Sequence, residues 1–279
     1  MPQIIAYPGT EGSFSAAAAR EAFPRGELVG YPTFPEAAQA VVDRKAAYAV
    51  LPVENSFAGS VSATYALLEK LPLHIVGEAM KPVRQQLLGV PGATLAELKT
   101  ITSHPQALAQ CDEFLATLKG VRIVTSANTA ISAREVAQRQ DPTFAAIASR
   151  EAAGTYGLEI LAEDIQTNAS NTTRFVIVGL YPIPLAMPDK ATVIFKVNNE
   201  VGALVRVLDS FARSGLNMSR IESRPLPDTP FLYAFVADFE GQMDPTHLAS
   251  AMSDAAPFTQ ELRLIGMYPR ATIPSQSTS

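Results

Sequence analysis

The sequence predicts an α/β protein of two domains, and three observations carry that expectation. Through roughly the first 180 residues, short apolar runs alternate with stretches of helical period. At residues 181–189 the segment YPIPLAMPD places three prolines within nine positions, which blocks a helix and favours a stiff, extended connector. Beyond it the order of patterns becomes strand, helix, strand, strand, helix, strand.

Each element follows from local pattern. Apolar runs at 4–7, 28–31, 48–53 and 73–76 read as strands, with helical patterns at 13–23, 35–43 and 62–71 between them. The alternation continues with strands at 100–103, 121–125 and 145–148, and helices at 106–118 and 129–139. That order suits α/β layers on largely parallel sheets. In the helix at 106–118, Leu108, Cys111, Leu115 and Leu118 share a face and Gly120 follows as a stop. Cys111 on that stripe reads as a buried filler, not a nucleophile. An apolar strand at 175–178 closes the first domain.

After the prolines, strands at 191–197, 218–223, 232–239 and 261–267 accompany helices at 201–214 and 245–256. Val201, Leu204, Val205, Leu208 and Phe211 lie on one face of the first helix, with Gly215 as its cap. A βαββαβ order is the ferredoxin-like α+β arrangement, two helices on one face of an antiparallel sheet. The domains therefore read as residues 1–180 and 190–270, joined by 181–189. The tail at 271–279, rich in Ser, Thr and Pro, is expected to be disordered.

Composition excludes several classes. The chain has 279 residues, 47% hydrophobic and 18% charged, ample for a core without disulfide or metal staples. A net charge of -5 with scattered basic residues gives no reason to expect nucleic acid or an anionic membrane as partner. No apolar stretch approaches the ~20 residues of a membrane span, and the first residues lack the basic start and apolar run of a signal peptide. The single cysteine permits no intrachain disulfide and fits a reducing cytoplasm. His74, His104 and His247 stand far apart with no ligand partner at helical spacing, and no nucleophile-elbow or phosphate-loop motif is present. No metal and no bound cofactor is expected.

In open α/β sheets ligands settle where strands end, and four polar clusters sit at such places. In YPGTEGSFS (7–15), Gly9 and Gly12 permit a tight turn, and Ser13 and Ser15 bring hydroxyls to a helix N-terminus that favours anions. A capped turn would look the same. In PVENS (52–56), Glu54, Asn55 and Ser56 follow a strand and serve equally as a helix cap. In SHPQA (103–107), Ser103 before a proline is ordinary helix-start grammar, with Gln106 behind it. In NTTRF (171–175), Arg174 at the mouth of a buried strand needs an anionic partner, from the protein or from a substrate.

In this order and at these separations, the four clusters resemble the prephenate dehydratase family. Its TRF motif is matched by Thr173, Arg174 and Phe175, with Asn171 two positions upstream. The family's glycine-rich opening, ENS element and SHPQA element match residues 9–15, 52–56 and 103–107. In the second domain, GALV at 202–205 and ESRP at 222–225 resemble the ACT domain appended to these enzymes. The likeness runs from residue 1 to about 270. It departs at Gln86, where many relatives carry histidine, and at Val201, where proline is frequent.

The resemblance implies a first domain of two lobes around a cleft, similar to type-II periplasmic binding proteins. It implies decarboxylating dehydration of prephenate to phenylpyruvate in the cytoplasm, with no cofactor. Thr173 would donate a hydrogen bond to the departing hydroxyl, and Arg174 would grip a carboxylate. Ser13 and Ser103 would hold the other carboxylate or the keto group, while Asn55 and Asn171 position the substrate. Glu54 is left open: it orients Asn55 or holds a proton. Gly12, Phe14, Ser15, Ser56, Gln106 and Phe175 complete the substrate surface. L-Phenylalanine would bind between two ACT domains, at Asn199, Gly202, Ala203, Leu204, Val205, Glu222, Ser223, Arg224 and Pro225, in a homodimer or homotetramer. Alternatively, Glu222 simply pairs with Arg220 or Arg224. The rival readings are an arogenate dehydratase or a dual-specificity enzyme, and a non-catalytic sensor, which should lack the TRF threonine. A chorismate mutase fusion is not expected, since no extra helical domain precedes Ile4.

Overall fold

A computed structural model of the chain describes residues 2–185, 188–226, 233–241 and 244–271. The expected tail beyond residue 271, the centre of the proline-rich connector and the start of the strand at 232 lie outside them.

The first lobe runs β1 (Ile4–Pro8), α1 (Phe14–Ala22), β2 (Glu27–Tyr31), α2 (Phe34–Val42), β3 (Tyr48–Asn55), β4 (Gly59–Ser60), α3 (Ser62–Lys70) and β5 (His74–Pro82). The second runs β6 (Gln86–Gly89), β7 (Thr100–Ser103), α4 (Pro105–Gln110), α5 (Asp112–Thr117), β8 (Arg122–Thr125), α6 (Thr129–Arg139), β9 (Phe144–Ala148), α7 (Arg150–Tyr156) and β10 (Glu159–Ala162). The chain then returns to the first sheet as β11 (Thr172–Gly179), giving the orders β2-β1-β3-β11-β5 and β10-β6-β9-β7-β8.

Local chemistry accounts for these elements. Four consecutive alanines, Ala16 to Ala19, are all buried, and their small side chains let α1 lie close among its neighbours. β9, FAAIA, is buried at every position, as a strand covered on both faces must be. The expectation of largely parallel sheets is corrected: β1 pairs parallel with β2 and β3, but β11 runs antiparallel to both β3 and β5. β6 is likewise antiparallel to β9 and β10. A strand that returns from the other lobe enters the sheet from the opposite end.

The predicted single helix at 106–118 is two helices, α4 and α5, broken at Cys111. The Gln110 carbonyl accepts from the Thr167 N–H at 2.8 Å, and the Asp112 carboxylate accepts from its own next N–H and from the Thr167 hydroxyl. These competing bonds take the place of a continuous helical ladder. Cys111 is fully buried, and burial pushes its thiol up to about 12, so it is a filler as expected.

The third unit runs β12 (Lys190–Val197), α8 (Ala203–Arg213), β13 (Asn217–Pro225), β14 (Tyr233–Glu240), α9 (Pro245–Ala255) and β15 (Thr259–Tyr268). Its antiparallel order β13-β14-β12-β15 is ferredoxin-like. α8 buries Ala203, Val207 and Phe211 against that sheet and begins at Ala203, because residues 199–202 form the entering turn. The unit does not hang free. Ile194, Val236, Ile265 and Tyr268 share one core with Tyr65, Leu68, Ile75 and Val176 of the first lobe. Contact is so close at Gly266 that a Cβ there would lie 2.0 Å from the Ile75 carbonyl oxygen. Among the described residues, no helix is long and apolar enough to cross a membrane.

Candidate active site

A cleft of about 560 Å³ opens between the two lobes. Ser13, Phe14, Ser15, Asn55 and Thr173 line it from the first lobe, and Gln106 from the second. These are six of the residues singled out from sequence, brought together from four separate segments.

The floor is set by β3 and β11, which pair antiparallel with Thr173 opposite Asn55 and Arg174 opposite Glu54. Successive side chains on a strand point to opposite faces. Asn55 and Thr173 therefore face the cleft, while Glu54 and Arg174 face the third unit. Asn55 Oδ1 accepts from the N–H groups of Phe57 and Ala58 at 3.0 and 2.9 Å. Its Nδ2 is thereby left to donate to Thr173 Oγ1 and Asn171 Oδ1, both at 2.9 Å. A hydroxyl that already accepts one hydrogen bond has its own proton free for another partner. Thr173 is a donor by construction.

Arg174 is corrected: it does not reach the cleft. It is buried and donates to Asp238 at 2.7 Å and to the Tyr65 hydroxyl at 2.9 Å, with Glu78 at 3.4 Å and Glu54 at 3.5 Å. Burial alone would lower this guanidinium, but Asp238, Tyr65, Tyr268 and Glu78 outweigh it and raise it above its ordinary value. Its anionic partners are protein groups. Glu54 lies 3.5 Å from both Arg174 and Arg220 and does not line the cleft. Phe175 is corrected as well, being buried in the core around α1.

Other expected contacts are structural. Ser103 is fully buried and donates to the Ile147 carbonyl at 2.6 Å. Ser56 accepts from the Thr172 N–H on the strand margin. Asn171 orients Asn55 from behind, with its own Nδ2 buried. Gly12, at φ +79°, presses on the second lobe: a Cβ there would meet the Ala152 Cα at 3.0 Å, and its carbonyl accepts from Ser149. Ser103, Ser56, Asn171 and Gly12 thus shape the cleft without lining it.

Sequence reasoning missed Thr33, Phe34, Gln85, Gln110, Asn128 and Thr129, and gave His104 no part in a site; all line the cleft. The caps were readable. Ser13, Thr33, His104 and Asn128 cap α1, α2, α4 and α6 by accepting first-turn N–H groups, and all four line the cleft. Each helix start carries N–H groups without intrahelical partners and the positive end of its dipole. Among the described residues, no lysine, arginine, aspartate or glutamate lines the cleft. Its polar lining is made of backbone groups and of Ser, Thr, Asn, Gln and His side chains.

In the third unit, Gly202 caps α8 and Ala203, Leu204 and Val205 open it, just after Asn199 in the turn, and Glu222, Ser223, Arg224 and Pro225 end β13. The register Arg224–Ala234–Lys196 across three strands sets both segments at the same end of the sheet. Glu222 is ion-paired with Arg220, and Arg224 lies 3.7 Å from Glu69.

A family model described as prephenate dehydratase matches residues 5–182. Arogenate dehydratase 1 of Petunia hybrida is 40% identical over 97% of this chain and 68% of its own length. A bifunctional N-acyl-homoserine lactone acylase/prephenate dehydratase of Komagataeibacter europaeus is 37% identical over 96% of both chains. The structure of prephenate dehydratase from Arthrobacter aurescens in complex with L-Phe superposes with a TM-score of 0.85 at 32% identity, covering 96% of this chain and 90% of that one. With the TRF threonine held over a cleft in the first of these domains, the chain belongs to the prephenate dehydratase family.

Proposed function

We propose that this chain converts prephenate to phenylpyruvate, carbon dioxide and water, and that L-phenylalanine binds its third unit. The observation that carries the reading is the Asn55–Thr173 pair, which aims a hydroxyl proton into a cleft whose walls suit a dianion. As the ring carboxylate departs, its C–C bond electrons enter the ring and the ring C–O bond breaks. The Thr173 hydroxyl hydrogen-bonds the leaving oxygen, which departs as water with one proton taken up from solvent. Asn55 supports the electron-rich Thr173 oxygen from behind. The α1 and α2 starts receive one carboxylate, and the α4 and α6 starts in the second lobe the other. Phe14 and Phe34 offer apolar surface to the ring.

Arogenate carries an ammonium in place of the keto group. Among the described residues no carboxylate lines the cleft to receive it, which favours prephenate. Exposed Val201, Val205, Met218, Ile221 and Tyr233 all belong to the third unit, three of them on β13 or at the start of β14. β13 is an edge strand that carries Met218 and Ile221 exposed between polar residues; an open edge calls for cover, and a second copy supplying it makes the chain a homodimer, or a homotetramer by further pairing. A buried free cysteine fits a reducing cytoplasm.

The test offers prephenate and arogenate separately at neutral pH, with enzyme-free controls, and follows phenylpyruvate by ultraviolet absorbance and phenylalanine by chromatography. The expected result is at least about tenfold higher kcat/KM on prephenate, with turnover altered by L-phenylalanine. Preference for arogenate would overturn the substrate assignment.

A further inference from the structure

The strands that bear the reactive pair are gripped from behind. On β3 Asn55 faces the cleft and Glu54 the third unit; on β11 Thr173 and Arg174 divide in the same way. Asp238 of β14 accepts from Arg174 at 2.7 Å and from the Thr192 hydroxyl at 2.7 Å, in a fully buried setting. Arg220 of β13 lies 3.5 Å from Glu54 and donates to the Tyr65 hydroxyl at 2.9 Å, the same oxygen that accepts from Arg174. On the next outward position of β13, Glu222 is ion-paired with Arg220. The chain neighbours of Asn55 and Thr173 are thus both held by side chains of the third unit.

We propose that Asp238 and Arg220 are positioning residues for the Asn55–Thr173 pair, and that the ion cluster Glu222, Arg220, Glu54, Arg174 and Asp238 carries the effect of a ligand on the third unit to the reaction. The identity of ligand and reaction rests on the function proposed above. A shift of β13 or β14 moves the side chains that anchor residues 54 and 174, and their backbone moves residues 55 and 173 with them. An ammonium group arriving at Glu222 competes with Arg220, which then turns fully to Glu54. The hydrogen bond from Asn55 to Thr173 is directional, and small misplacements of a reacting group lower turnover steeply. Arg174 touches no cleft atom, so its influence runs through Thr173.

The test uses two full-length variants, Arg220→Gln at the outer end of the cluster and Asp238→Asn at its buried end, each checked for folding by near-ultraviolet circular dichroism. Both are expected to lower kcat about tenfold while KM stays within about threefold. L-Phenylalanine is expected to bind both by calorimetry while its effect on turnover falls at least about fivefold. Hydrogen exchange of residues 172–176 should respond to L-phenylalanine in the wild type and not in the variants, a readout that stands even if prephenate is not the substrate. If Asp238→Asn does not fold, Arg220→Gln decides. A folded variant with wild-type kcat and a full L-phenylalanine response would overturn the proposal. So would a wild type that fails to bind L-phenylalanine, or binds it with no change in β11 exchange.

Discussion

The Asn55 amide has its orientation dictated by two backbone N–H groups, and this is what makes Thr173 a donor. Replacing the Nδ2 by oxygen keeps shape and volume but reverses the hydrogen bond. In Asn55→Asp the Thr173 proton would turn toward the new carboxylate and away from the substrate. The expected result is a fall in kcat of about 10²-fold with KM changed by less than about fivefold, measured by steady-state kinetics on prephenate. A variant within threefold of wild-type kcat would sink the role given to this amide. Arg174 teaches the complementary lesson. Its partner Asp238 lies 64 residues away in sequence, so only the fold shows that its charge is already neutralised. Removing one member of such a buried pair typically costs about 3–5 kcal/mol. Loss of activity in an Arg174 variant is therefore a structural outcome as much as a chemical one.

Strands and helix starts, more than loops, build the cleft. The capped starts of α1, α2 and α6 were legible as caps, since Ser13, Thr33 and Asn128 are ordinary capping residues. A cap facing a cleft and a cap facing water have the same sequence, which is why Thr33 and Asn128 escaped notice. β6, α7 and β10 were missed because they are short, and Gly154 interrupts the α7 pattern. α7 matters, for it joins the lobes. Lys81 of β5 bridges Glu21 of α1 and Glu151 of α7 at 2.5 and 2.8 Å. Burial works against both charges, but hydrogen bonding between them leaves Glu151 below and Lys81 above their ordinary values. A depressed carboxyl contributes stability above its unfolded pKa and loses it as pH falls through its folded value. A raised lysine contributes below its unfolded pKa and loses it as pH rises through its folded value. The latch is complete in the window between. Lys81→Met should lower the melting temperature near pH 7, and the gap to wild type should close as pH falls below the glutamate range. Parallel melting curves whose gap is constant from pH 7 to pH 3 would contradict this.

Much of the architecture was readable in advance: the strand–helix alternation and the ferredoxin-like order both stand in the structure. What could not be read was how the third unit docks. Its core continues through Ile194, Val236 and Ile265 into the first lobe, and no local pattern announces a partner so distant in sequence. The same limit explains the site. Motif proximity brought Thr173 and Arg174 into one assignment, whereas strand alternation sends them to opposite faces, one to the cleft and one to the third unit. The account as a whole turns on a hydroxyl proton at Thr173. Thr173→Val preserves the branched shape and removes the hydroxyl, and Thr173→Ser restores it. Steady-state turnover of prephenate by the folded variants should show kcat lowered about 10²-fold or more in valine and within about tenfold of wild type in serine, with KM little changed in either. Wild-type kcat in Thr173→Val would contradict the account.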